Sequence, residues 1–198
     1  MSEQILIQCT KFCVSHFPEG HGPTIDDTIR KPAEIDGQPY NINIIDTAGR
    51  EEYATLTEHW IGQGEVFIIV YNVASRDSFT HVPHYYEQIK AVQLSSGAHS
   101  SESEATASTT THSVPLVLVG NKSDLQDQRT ISTDQGVHLA GELGCHYVET
   151  SAKEDVDVGE AFSAAVRMNR RQQEAVAHRL LSEADKDLAC RRHKCSVL

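Results

Sequence analysis

Hydrophobic positions along the chain follow two kinds of pattern. Val66–Tyr71 (VFIIVY) and Val114–Val119 (VPLVLV) are short, nearly continuous apolar runs rich in β-branched residues. Such runs predict strands buried on both faces of a parallel sheet. Tyr40–Asp46 (YNINIID) alternates instead, as a strand with one wet face does, and Cys145–Glu149 (CHYVE) reads as a further short strand. Helical spacing fills the intervals, from about Asp77 to Val92, about Thr133 to Leu143, and about Val158 into the tail. Near the start, Ile5, Cys9, Phe12, Cys13, His16 and Phe17 also recur at helical spacing and predict a first helix, followed by the turn-rich loop Pro18–Pro23. A competing reading pairs Gln4–Gln8 (QILIQ) as a strand. Strands alternating with helices of this length mean βαβ units and an α/β fold class.

One segment breaks the rhythm. From Ser95 to Ser113, 11 of 19 residues are Ser or Thr. Too little apolar surface is available there to offset the entropy of folding, so residues 95–113 read as a disordered surface insertion, and its hydroxyls as candidate phosphorylation sites. Composition otherwise suits a globular domain, with 39% hydrophobic residues and 12 glycines in 198 residues. Charge sums to −11 from 17 basic and 28 acidic side chains, which argues against a protein that holds nucleic acid by its overall field. That charge is uneven: no acid follows Asp187, while Arg191, Arg192 and Lys194 give the end of the chain a basic character. No apolar run approaches the ~18 residues of a membrane span, and Met1-Ser2-Glu3-Gln4 lacks a secretory profile, so a cytosolic origin is expected. Five cysteines without a secretory leader argue against a disulfide framework. Cys9, Cys13, His16 and His21 fit no zinc-finger spacing, and an amphipathic helix accounts for them.

Candidate chemistry sits at strand ends. Asp46-Thr47-Ala48-Gly49 follows the YNINIID strand, Gly120-Asn121-Lys122-Ser123-Asp124 follows VPLVLV, and Thr150-Ser151-Ala152-Lys153 follows CHYVE. Loops leaving the carboxyl ends of one sheet's strands are where open α/β folds bind ligands. A carboxylate at Asp124 can accept two N–H bonds from the amidine edge of guanine, which adenine does not present. Asn121 can tie the loops together and accept from the base, Lys122 can lie along the ring, and the Ala152 amide can reach the guanine carbonyl oxygen. Gly49 lets the backbone approach a phosphate closely.

In this order, Pro23-Thr24-Ile25-Asp26-Asp27, DTAG, NKSD and ETSAK resemble switch I, switch II and the guanine-base loops of Ras-family small GTPases. The resemblance runs from Ile5 to about Leu180, and Trp60-Ile61-Gly62-Gln63-Gly64-Glu65 is similar to fungal-type members. It implies the small GTPase fold, a P-loop NTPase-like doubly wound mixed sheet, over residues 1–180, with 181–198 as a membrane-targeting tail. It also implies GTP/GDP and Mg²⁺ as cofactors. Thr24 would donate to magnesium and the γ-phosphate, and Asp46 would hold the metal through water. Ile25, Asp26 and Asp27 would face effectors, and Asn121, Lys122, Asp124, Ser151, Ala152 and Lys153 would surround the base. The implied activity is GTP hydrolysis by a molecular switch that meets effector and regulatory proteins.

Two departures from the family pattern change what is expected. The family begins with a strand and GxxxxGK[ST] before its first helix, and the 198 residues contain no such loop. Counting back from Pro23-Thr24 puts Ile5 and Leu6 at the positions of its lysine and Ser/Thr. The expectation is an N-terminally truncated GTPase missing the central strand between YNINIID and VFIIVY, marginally stable on its own and weak in nucleotide binding. The alternatives are a nucleotide-independent pseudo-GTPase scaffold and a truncated product without independent activity. Arg50, next to Gly49, stands where the family usually has the glutamine that orients water; a guanidinium only donates, so slow hydrolysis is expected.

Cys195-Ser196-Val197-Leu198 fits C-a-a-X with a terminal leucine, which predicts geranylgeranylation of Cys195. One lipid binds only marginally. Palmitoylation of Cys190 and the charges of Arg191, Arg192 and Lys194 would supply the second signal, placing the protein on the cytoplasmic face of the plasma membrane or an endomembrane.

Overall fold

The structure, a computed structural model, describes residues 27–46, 54–95 and 114–192. The expected first helix, the Pro18–Pro23 loop and most of the Ser/Thr-rich insertion lie outside the described residues.

β1 (Asp27–Ile35) and β2 (Gln38–Asp46) form an antiparallel hairpin. Its two-residue turn, Asp36-Gly37, has φ of 53° and 73°, the doubly left-handed turn that matches the twist of a ribbon. With that turn, Ile35 and Gln38 form a hydrogen-bonded pair, and the bonded pairs then alternate along the register. Pro32 (opposite Asn41) and Pro39 (opposite Glu34) therefore fall at non-bonded positions. Neither proline removes a ladder bond. This explains a strand, β1, that the sequence pattern did not predict.

β3 (Phe67–Asn72), β4 (Leu116–Asn121) and β5 (His146–Glu149) make a parallel sheet in the order β3-β4-β5. The expected strands appear with small shifts of boundary. α1 (Ala54–Gln63), which the sequence pattern did not predict, precedes β3. The helix expected at about Asp77–Val92 is two helices, α2 (Arg76–Thr80) and α3 (Val82–Ser95). Pro83 has no N–H to continue a helix, so it sits in the first turn of the second one. α4 (Thr133–Leu143) lies where its periodicity put it, opened by a Ser132–Gln135 capping box and closed by Gly144 at φ 67°. α5 (Val158–Arg192) is 35 residues long.

Alternate residues of the parallel sheet face two different cores. Ile69, Tyr71, Leu116 and Leu118 pack with Ile61 of α1, Val82 and Ile89 of α3, and Ala140 of α4. On the opposite face, Val70, Val117, Val119 and Val148 meet Ala161, Ala164 and Ala165, whose small side chains let α5 lie close to the sheet. A third cluster joins Ile44 of β2 to Ala152, Val158 and Phe162, with Ile29, Ile42 and Ile68 packed against it. Through that cluster α5 holds the hairpin and the parallel sheet together.

No described strand pairs with both sheets: the described strands form a two-stranded sheet and a three-stranded sheet. Polar contacts add to the apolar seam. Arg167 and Arg170 reach Asp36 in the hairpin turn at 3.0 Å and 3.3 Å, and these charges hold the Asp36 carboxyl below its ordinary pKa, the Arg167 hydrogen bond being the largest cause.

Candidate functional site

The loops after β4 and β5 meet at the carboxyl edge of the parallel sheet. Asn121 ends β4 fully buried, and its Oδ1 accepts from the Thr150 hydroxyl and from the Ala152 amide, both at 3.2 Å. A backbone N–H can only donate, so the atom facing Ala152 is the side-chain oxygen. This corrects one expectation. The Asn121 oxygen does not accept from a base, because it already ties the two loops together, and the group it has left to offer is its donating amide nitrogen. The Ala152 amide, expected to reach the guanine carbonyl, is engaged by the same bond.

Asp124 stands on the turn that follows. Lys122 adopts φ 66°, and its carbonyl accepts from Leu125 N at 3.0 Å while Ser123 N donates to Thr150 O at 3.0 Å. That reversal aims the half-buried Asp124 back towards the β5 loop. There the Ser151 hydroxyl donates to Asp124 Oδ1 at 2.7 Å and accepts from Glu154 N at 3.1 Å. A two-way bridge between Ser151 and Val156, each N···O 3.0 Å, closes the loop before α5 begins. One Asp124 oxygen is thus fixed in place by Ser151. A carboxylate has roughly four lone-pair sites, so Asp124 retains acceptor capacity for a ligand's paired donors. Lys122 is half-buried and Lys153 exposed beside these groups.

Behind the loops lies a polar network that the sequence did not reveal. Glu149, next to Thr150, takes a forked pair of bonds from Arg129 (2.8 Å and 2.9 Å), one from the Thr133 hydroxyl (2.9 Å) and one from the Tyr147 hydroxyl (3.0 Å). Tyr147 in turn bonds Tyr71 across the sheet at 2.8 Å. Burial alone would raise the Glu149 pKa, but the bonds from Arg129, Thr133 and Tyr147 outweigh it and leave the carboxyl below its ordinary value. Both tyrosine hydroxyls are pushed upward, chiefly by burial. Asn121, Thr150, Ser151 and Ala152 are all at most 2% exposed, so the bond network sits in a low-dielectric setting where it is both strong and costly to break.

The structure thus brings Asn121, Lys122, Asp124, Ser151, Ala152 and Lys153 to one place. Asp46 ends β2, with Asp27 beside it in the register. Thr24, Ile25, Asp26, Gly49, Arg50 and Cys195 lie outside the described residues, and Cys190 is described only as backbone in α5. Among the described residues no group of three or more His, Cys, Asp or Glu is arranged to hold a metal.

Comparison with known proteins settles what these loops belong to. The Ras family model matches residues 6–171. The chain belongs to the Ras family. It is 43% identical over 166 residues to "Ras-like protein 1" of Pyricularia oryzae, spanning 83% of this chain and 69% of that protein. It is 41% identical over 167 residues to "Protein ras-2" of Neurospora crassa, 83% of this chain and 73% of that protein. "Ras-like protein 1" of Saccharomyces cerevisiae is 38% identical over 160 residues, 81% of this chain and 47% of that protein. The α/β fold with its parallel sheet is therefore the Ras-family small GTPase fold, and guanine nucleotides with Mg²⁺ are the ligands of the family. No described helix of this Ras-family chain is long and apolar enough to cross a membrane.

Proposed function

We propose that this Ras-family chain is a guanine-nucleotide-dependent signalling switch held at a membrane by its C-terminus, with its base-recognition half built and its phosphate grip weak. Supporting the first part is the bond set Asn121–Ala152, Asn121–Thr150 and Asp124–Ser151, which fixes the two loops against each other. Asp124 would accept both donors of the guanine amidine edge, the Asn121 amide would donate to the base's five-membered ring, and the Lys122 stem would cover its face. These residues fit the base. The triphosphate fits less well, since the 198 residues hold no GxxxxGK[ST]. In a chain of these 198 residues alone, four or more charged hydrogen bonds at roughly 1.5–3 kcal/mol each would be missing, which would weaken binding by at least about 10⁴-fold.

When bound, magnesium and the γ-phosphate would supply the charge that orders the two switch loops. Thr24, Asp46 and Gly49 are the residues that would meet them, and Ile25, Asp26 and Asp27 would present the ordered loop to effector and regulatory proteins. Arg50 would only donate towards an attacking water, so hydrolysis would be slow. A geranylgeranyl group on Cys195, with Cys190 acylation and the basic tail, would hold the protein at the cytoplasmic face of a membrane.

A second reading is a nucleotide-independent scaffold. Equilibrium binding of fluorescent guanine and adenine nucleotides to the purified 198-residue chain separates the two. The switch reading expects guanine preference of ~10²-fold or more at weak absolute affinity; equal binding of both bases, or none at millimolar nucleotide, leaves the scaffold.

A further inference from the structure

Tyr71, Gly120 and Glu149 lie side by side in the register of three adjacent strands, β3, β4 and β5. Side chains two strands apart are ordinarily separated by about 10 Å and by whatever the middle strand carries. Here the middle residue carries no side chain. A Cβ built on Gly120 would stand 2.8 Å from the Tyr147 hydroxyl oxygen and 2.9 Å from that of Tyr71. Its absence is what lets the two hydroxyls meet over β4, at 2.8 Å. Gly136 of α4 leaves the same space open from the helix side.

The direction of these bonds follows from counting hydrogens. Glu149, held ionised by the Arg129 fork, can only accept. Tyr147 has one hydroxyl hydrogen and gives it to Glu149 Oε1 at 3.0 Å. The 2.8 Å bond is therefore donated by Tyr71, and the relay runs from Tyr71 through Tyr147 to Glu149. Tyr71 is fully buried, so losing Tyr147 as acceptor would leave its hydroxyl unpaired at a real cost. The relay also touches the roots of both site loops. Gly120, against which the two hydroxyls lie, directly precedes Asn121. Glu149 precedes Thr150, whose N–H donates to Gly120 O at 2.9 Å and whose carbonyl accepts from Ser123 N at 3.0 Å.

We propose that Tyr147, oriented by Tyr71, is a positioning residue for base recognition: the hydroxyl pair sets how the ends of β4 and β5 stand against each other, and thereby how Asp124 is presented. The inference rests on the base-recognition reading given above. Neither tyrosine bonds Asp124. The influence passes through Glu149 to Thr150 and Ser151, whose hydroxyl holds Asp124 Oδ1 at 2.7 Å. A pair that only filled and satisfied the core would affect the loops no more than it affects overall stability. Replacing both tyrosines by phenylalanine separates the two roles, because it removes the relay without leaving a buried hydroxyl unpaired.

Residue-resolved amide exchange and urea unfolding of the full 198-residue chain, with Tyr71→Phe, Tyr147→Phe and both together, test this. Tyr147→Phe should speed exchange at the Ser123, Thr150 and Ala152 amides by ~10-fold or more, the worth of one hydrogen bond to a charged group. The Phe67 amide, bonded to Pro115 O at the far end of the sheet, should stay within ~2-fold. Tyr71→Phe keeps the bond to Glu149 but removes what orients it, so it should act at the same three amides and less strongly. The double variant should regain stability relative to Tyr147→Phe while its loop amides exchange just as fast. Loop exchange that recovers together with stability, acceleration shared by Phe67, or unchanged loop amides in either single variant overturns the proposal. Competition between guanosine and inosine diphosphates supplies the ligand readout, since inosine lacks the exocyclic amine. Preference for guanosine should fall ~3-fold or more in Tyr147→Phe, and an unchanged preference also overturns the proposal. Binding of neither nucleotide by the unmutated chain is a failure of the base-recognition reading; the exchange pattern then still decides whether the tyrosines set the loops.

Discussion

Arg129 grips Glu149 with both arms of its guanidinium, Nη1 to Oε1 at 2.8 Å and Nη2 to Oε2 at 2.9 Å. The pair spans the loop after β4 and the end of β5, one residue before Thr150. With Ser123 N bonded to Thr150 O, the loops after β4 and β5 are held from behind by charge and in front by Asn121 and Ser151. Planar, two-point geometry is what an arginine supplies and a lysine does not.

Breaking that clamp is expected to cost stability with a defined dependence on pH. The side chains are 16% and 21% exposed, so Glu149→Gln should destabilise by about 2–3 kcal/mol, below the figure for a fully buried pair. Glu149 has a folded-state pKa below its ordinary value. Its contribution is therefore complete above the unfolded carboxylate value of about 4.3 and is lost as pH falls through the lower folded value. Urea unfolding of both chains across pH 3 to 7 should show the gap between them closing at the acid end. A gap that stays constant with pH would contradict this assignment.

How much of this was legible in the sequence depends on whether a feature is local. VFIIVY, VPLVLV and CHYVE became strands because a buried parallel strand needs little beyond a short β-branched run. The residues of NKSD and TSAK came together as expected, since each sits directly after such a strand. β1 was missed because Pro32 and Lys31 disguise its alternation; the Ile35-Asp36-Gly37 turn was the available signal. The break before Pro83 is likewise local, since a proline without an N–H marks it in the sequence. By contrast, nothing local pairs Arg129 with Glu149, 20 residues away, or tells that Asn121 Oδ1 is consumed by Ala152 N. Those depend on the sheet placing two loops side by side.

Gly136 illustrates how packing can reverse a propensity rule. In a helix interior, Gly→Ala ordinarily gains about 0.5–1 kcal/mol. Here an added Cβ would lie 2.6 Å from the Tyr71 hydroxyl and against the Tyr147 ring, both fixed by their mutual bond. Gly136→Ala should instead cost about 1–3 kcal/mol. Denaturation of Gly136→Ala, Tyr147→Phe and the double variant checks the cause: removing the Tyr147 hydroxyl should relieve part of the clash, so the double variant should lose less than the sum. Strict additivity would remove the steric explanation.

The proposed base selection by Asp124 predicts a switch of ligand rather than a simple loss. An asparagine there keeps an oxygen for the Ser151 hydroxyl, which now reaches Asp124 Oδ1 at 2.7 Å, but turns an N–H towards the donors of guanine. Xanthine carries a carbonyl where guanine carries its exocyclic amine. Asp124→Asn should lower guanine nucleotide affinity by roughly 10²–10⁴-fold, the worth of two charged hydrogen bonds, and favour xanthine nucleotide. Competition binding measures this; unchanged guanine preference would mean that Asp124 does not read the base.

The proposed membrane attachment through Cys195 makes the last prediction. α5 runs helical to Arg192, and its residues Gln173–His178 are exposed beyond the last core contact at Met168. At 1.5 Å per residue, the stretch from Met168 to Arg192 spans about 36 Å, enough to carry the proposed lipid attachment point well clear of the domain. A single prenyl chain binds reversibly, and three basic charges add up to about 1 kcal/mol each against an anionic leaflet. Cys195→Ser should therefore move a tagged protein almost wholly to the soluble fraction. Changing Arg191, Arg192 and Lys194 to glutamine should release only part of it; high salt should likewise release part of the unmutated protein and add little to the variant, whose attracting charges are gone. Retention of the Cys195→Ser protein on membranes would place the anchor elsewhere in the chain.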